Sequence, residues 1–120
     1  MFKKVINYVD FDGNKREEEH HFHLSKTEMR ELELSESGGL SEKMKRIIAA
    51  QDVPSLYKVY KEIILASYGV KTPDGKRFKK SAELVEEFTQ TNAYDVLMTE
   101  LTTDADAAAK FMNALVESAT

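Results

Sequence analysis

All histidines of the chain fall in one run, His20-His21-Phe22-His23. In an extended strand His21 and His23 share a face with Glu19, so two imidazoles and a carboxylate could ligate zinc or nickel. No distant histidine or cysteine completes such a site. The run therefore reads as the polar outer face of a strand, and no metal is expected. Carboxylates pair at Glu86-Glu87 and Asp104/Asp106, the residue type that does general acid–base work. They fall on helix surfaces or in first turns, where the helix dipole favours acids. The serines and threonines sit at cap and turn positions, with no base nearby. Neither an enzyme nor a catalytic or cofactor site is expected. Gly38-Gly39 and Asp74-Gly75-Lys76 lack the order of a phosphate loop and read as turns.

The most distinctive charged stretch is Lys71-Thr72-Pro73-Asp74-Gly75-Lys76-Arg77-Phe78-Lys79-Lys80. Against a net charge of -4 it carries about +4, leaving about -8 for the rest. Lys71, Lys76, Arg77, Lys79 and Lys80 form a candidate basic loop for an electrostatic contact. A single aromatic, Phe78, and the acidic remainder weigh against nucleic acid. An acidic protein surface fits better, and Glu17–Glu19 and Glu28–Glu36 offer one within the chain itself, so self-association between these regions is a further reading.

The elements that must position these groups follow from pattern. The 120 residues suit a single domain, 1–120, and 42% hydrophobic with 32% charged residues gives a core and a highly charged surface. With no cysteine, disulfides and thiolate sites are excluded, which fits a reducing compartment. No apolar run approaches the ~20 residues of a membrane span, and the N-terminus lacks a signal-peptide block. An intracellular protein with no membrane partner is expected.

Residues 2–24 predict a β-hairpin around Asp12-Gly13-Asn14. Phe2, Ile6 and Tyr8 fall on one parity and Val5, Val9 and Phe11 on the other, so the first strand is expected to be covered on both faces. Phe22 and Leu24 should point inward. Ser25-Lys26-Thr27-Glu28 is a capping box opening a helix to about Leu34, and Ser35-Glu36-Ser37-Gly38-Gly39 breaks it. A second helix spans Leu40–Gln51. Val53–Gly69 is apolar over most of its circumference and predicts the central helix, capped by Asp52, with Pro54 in the first turn and Gly69 as a left-handed stop. Pro73-Asp74-Gly75 is a turn, and further helices follow Ser81, Thr91-Asn92 and Thr103-Asp104. The expected fold is mainly α: a compact bundle of about five or six helices over 25–120, with the N-terminal hairpin and a short turn or hairpin at 70–80.

Several words in order resemble one family. They are Phe11-Asp12-Gly13-Asn14-Lys15-Arg16, Phe22-His23-Leu24-Ser25-Lys26, Gly38-Gly39-Leu40-Ser41-Glu42 and the Ile63–Tyr68 helix end with Gly69. Asp74–Ser81, Phe88-Thr89-Gln90-Thr91-Asn92-Ala93-Tyr94 and Leu101–Ala108 continue the series, which covers nearly the whole chain. The sequence resembles the phage tail assembly chaperones of long-tailed phages and prophages of Gram-positive bacteria, encoded upstream of the tape measure protein. The resemblance implies a non-enzymatic helper that keeps the tape measure protein soluble and helps recruit tail tube protein. It also implies the host cytoplasm, absence from the mature virion, and an ending that suits the short form of a frameshifted pair. The alternatives are a structural tail or head-completion component, or a small regulatory nucleic-acid-binding protein using the loop 71–80. A holder of amphipathic helices needs apolar grooves, and flexible methionine suits adaptable ones. Met29, Met44, Met98 and Met112 each lie on a helical stripe. Tyr94, Leu97, Met98, Leu101, Phe111, Met112 and Leu115, on the last two helices, are the candidate contact surface for the tape measure protein or for a homo-oligomer.

Overall fold

One carboxylate organises the first turn. Asp10 Oδ1 accepts from the amides of Asp12 and Asn14 at 3.0 and 2.9 Å, and Oδ2 meets Arg16 Nε at 2.7 Å. Gly13 takes the positive φ the turn requires, 83°. The strands it joins, β1 (Phe2–Val9) and β2 (Lys15–Phe22), pair antiparallel without a break from Phe2↔Phe22 to Val9↔Lys15. The computed structural model describes residues 1–35 and 38–118, with the backbone alone at Ser41 and Ser118. The expected break at Glu36-Ser37 and the terminal Ala119-Thr120 lie outside them.

Only one face of β1 is covered. Ile6 and Phe22 are buried, whereas Lys3, Val5, Asn7 and Val9 are all exposed and Phe11 stands out in the turn. The expectation of cover on both faces is thus corrected: the helices pack on the even-numbered side alone.

Helices α1 (Lys26–Leu34), α2 (Leu40–Ala49) and α3 (Val53–Ser67) follow. The Ser25–Glu28 capping box forms in both directions, and Asp52 accepts from Ser55 N to cap α3. Gly69 is not a left-handed stop. The chain passes from Ser67 straight into β3 (Tyr68–Lys71), because Ser67 O accepts from His23 N and β3 pairs with β2 through Phe22↔Tyr68 and His21↔Gly69. Gly69 is there for closeness: a Cβ would lie 2.5 Å from the Phe78 ring and 2.6 Å from Lys79 O. After the Pro73-Asp74-Gly75 turn, β4 (Phe78–Lys79) pairs with β3, giving one four-stranded sheet in the order β1-β2-β3-β4.

Helices α4 (Ala82–Thr89), α5 (Asn92–Thr103) and α6 (Ala105–Ser118) complete the chain, so the described residues hold six helices beside the sheet. The hub is α5, which packs on β1, α3, α4 and α6. The C-terminal half of α3 is buried at Val59, Tyr60, Ile63, Ile64 and Ser67, but Val53 and Tyr57 near its start are exposed. Phe22 sits at the centre of the core, with Phe2, Tyr68, Phe88 and Phe111 around it at ring distances of 5.6–6.5 Å.

His20 faces this aromatic core, 5.2 Å from the Phe88 ring. Its Nε2 is buried without a hydrogen-bond partner, since Glu18 Oε1 is 3.8 Å away. Burial holds the His20 imidazole below its ordinary value of 6.5, and burial lowers His23 in the same way. A depressed folded pKa means the unfolded chain binds more protons. Stability is therefore complete above pH 6.5 and declines as pH falls below it. Urea midpoints taken from pH 7.5 down to 5.5 should fall, and His20→Phe should flatten the profile; a flat wild-type profile would contradict this.

Candidate functional site

Two surfaces could do something: the turn that carries the basic residues, and an apolar trough at the other end of α1. At the turn, Asp74 Oδ1 accepts from Thr72 Oγ1 at 2.6 Å and from Lys76 N at 3.0 Å, and Gly75 has φ 75°. Lys71, Lys76, Arg77 and Lys79 are exposed around it. Lys80 does not join them. Its Nζ turns inward, donating to Glu28 Oε2 at 2.7 Å and to Ala66 O at 2.9 Å. Burial pushes the Glu28 carboxyl up, but the bonds from Lys80 and the Ser25 amide outweigh it and hold the carboxyl below its ordinary value. This one ammonium joins the start of α1, the end of α3 and β4. Lys80→Met keeps the stem and strands Glu28, so it should cost about 1–3 kcal/mol, read as a lower urea midpoint with unchanged slope.

The histidines go separate ways. His21 Nε2 meets Glu19 Oε1 at 3.0 Å, while His23 packs edge-on against Phe78. Among the described residues no His, Asp or Glu cluster is arranged to hold a metal.

The expected contact residues are mostly core. Tyr94, Leu97, Met98, Leu101, Phe111 and Leu115 are all buried, since α5 is covered on several sides and α6 closes over the aromatic cluster. Met112 alone of the seven is half-buried. It opens into a trough of about 630 Å³ together with Met29 of α1 and Met44 of α2. Leu40, Ile48, Leu56 and Val116 extend the apolar lining. The floor on α6 is made of small residues, Ala105, Ala108 and Ala109, which let another backbone come close. Thr102 and Thr103 at the rim have their hydroxyls bonded back to Met98 O and Thr99 O, at 2.7 and 2.6 Å. Of the methionines marked on helical stripes, Met29, Met44 and Met112 meet here and Met98 is core.

The trough exists because α1 and α2 stand apart from α6. No residue of α1 is buried, and α2 packs broadly only on α3. The elbow between them is set by Glu33, whose Oε2 accepts from Leu40 N at 3.1 Å and supplies the cap that Gly39 lacks. A Cβ on Gly39 would lie 2.7 Å from that oxygen. Sequence reasoning put Ile48 on the apolar stripe of its helix with Met44 and Ile47, but marked neither Ile48 nor Val116 as a contact residue.

An apolar trough with small floor residues, flexible methionine walls and Glu33 and Lys45 at its edges has the chemistry that suits an amphipathic segment. The family model described as "Phage tail assembly chaperone" matches residues 1–118. Neither a curated protein nor a solved structure matches the chain. A family match over nearly the full length, on a fold of six helices and a hairpin, places the protein: this chain belongs to the phage tail assembly chaperone family.

Proposed function

We propose that this chain holds amphipathic helical segments of the tape measure protein in the trough between α1, α2 and α6, keeps that protein soluble, and helps bring tail tube protein to it. The observation that carries the reading is the convergence of Met29, Met44 and Met112, from separate helices, on one open apolar trough. A trough walled by half-buried methionines adapts to successive helices of differing sequence, which is what a long helical client demands. The exposed cations Lys71, Lys76, Arg77 and Lys79 form a second surface, suited to an acidic protein patch. The working form is a homo-oligomer in the host cytoplasm, released before the virion is complete.

Co-expression with the tape measure protein encoded downstream tests this. The expected result is transfer of that protein from the pellet to the supernatant in complex with this chain. A tape measure protein that stays insoluble, or this chain recovered as a stoichiometric component of purified virions, would overturn it and favour a structural tail component.

A further inference from the structure

The first strand ends the sheet. Natural edge strands are protected by short length, prolines, bulges, charged side chains or a covering element; of these β1 has one charge on its free side, Lys3, and the start of α5 over one end. β1 runs eight residues in unbroken register, with no proline or glycine. The direction of its backbone groups follows from the register. Asp10 N donates to Asn14 O, directly beyond the Val9↔Lys15 pair, so the even-numbered residues of β1 exchange bonds with β2. The odd-numbered residues, Lys3, Val5, Asn7 and Val9, therefore aim their N–H and C=O groups away from the sheet. At Val9 this edge is closed: Asn92 Nδ2 donates to Val9 O at 2.9 Å. What stays open is Lys3, Val5 and Asn7, a stretch symmetric about Val5.

We infer that this edge pairs with the same edge of a second copy, antiparallel about a two-fold axis at Val5, so that the sheet runs on through both chains. The register brings Lys3 opposite Asn7 of the second copy, and Val5 opposite Val5. Each is a narrow pair that exchanges both backbone bonds. On the outer face Val5 is 47% exposed and would be covered by its own counterpart. No like charges face each other across the axis: each Lys3 lies beside an amide. A symmetric contact of this kind closes on itself and consumes both open edges, where a displaced register would leave one free to add further chains. The inference names a surface for the homo-oligomer proposed above and is independent of what the trough holds.

Because β1 offers the Val5 N–H outward, Val5→Pro removes a donor from the pairing and none from the β1–β2 ladder. Sedimentation of the wild type at about 100 µM, well above a micromolar Kd, should give twice the 13.7 kDa of one chain. Val5→Pro should give one chain with unchanged circular dichroism. The chain has no cysteine, so Val5→Cys reports on the axis directly. Across a narrow pair the Cα atoms lie about 5.5 Å apart, the usual disulfide spacing. Mild oxidation should cross-link Val5→Cys nearly completely. Lys3→Cys, displaced from its own copy by about 13 Å along the strand, should stay monomeric on a non-reducing gel. A wild-type monomer would overturn both the oligomer and this edge. An oligomer that survives Val5→Pro, or that cross-links equally at positions 3 and 5, would leave the oligomer standing and remove the edge from it.

Discussion

Replacing Ile48 with glutamate should leave the fold intact and weaken tape measure binding by at least about 30-fold, the effect of losing ~2 kcal/mol at the centre of a contact. Ile48 is 61% exposed at the wall of the trough, so the single chain loses little when it changes. In a complex the same position would be covered by an apolar helix face, and a carboxylate there would have to be stripped of water without a partner. Met44→Glu, on the same face of α2, should weaken binding too, but at some cost in stability, because Met44 is half-buried against the core. The comparison that gives the result meaning is Met98→Glu. Met98 is 3% exposed, so that change should unfold the protein. Thermal melts beside the co-expression assay separate the two outcomes. If Ile48→Glu and Met44→Glu both solubilise the tape measure protein as well as wild type does, the client lies elsewhere.

Phe22→Ala should cost about 3–5 kcal/mol, a large part of the ~5–15 kcal/mol that holds a domain of this kind together. Phe22 is fully buried and its ring contacts span β1, β3, α4 and α6 through Phe2, Tyr68, Phe88 and Phe111. The Tyr68 and Phe88 rings are themselves stacked 4.2 Å apart, so the surroundings cannot collapse easily into the space left. The loss should appear as a shifted urea midpoint, or as failure to fold at 37 °C. Phe111→Ala should act in the same way, since Phe111 is equally buried. A change of under about 1 kcal/mol in either would mean that the aromatic cluster repacks, contrary to the geometry.

Local signals in this chain read true. The Ser25–Glu28 box, the Asp52 cap, the hairpin and the helical fold all follow from short-range chemistry visible in sequence. What depended on distant partners did not. Gly69 resembles a helix stop because nothing nearby reveals that β2 will draw the chain into a strand and that Phe78 will press on it. Val5 and Val9 resemble a second buried face because apolar parity does not say which side the helices take. The stripe on α5 and α6 was visible, but a stripe does not say whether it meets its own chain or another's. Here the same periodicity gives core at Leu97 and Phe111, and trough at Met112. The residue type carried the remaining information: methionine marked three of the trough's walls, while alanine marked its floor.

The Lys80 bridge has a consequence for the walls of the trough. It clamps the first turn of α1 to the end of α3 and to β4, while α2 packs on α3 and buries Leu40 and Ile47 in the core. Both walls of the trough are thus tied to the body of the domain, α1 through one ammonium and α2 through two apolar side chains. Any variety the trough admits must then come from its methionines, whose three rotatable bonds reshape the lining without moving a helix.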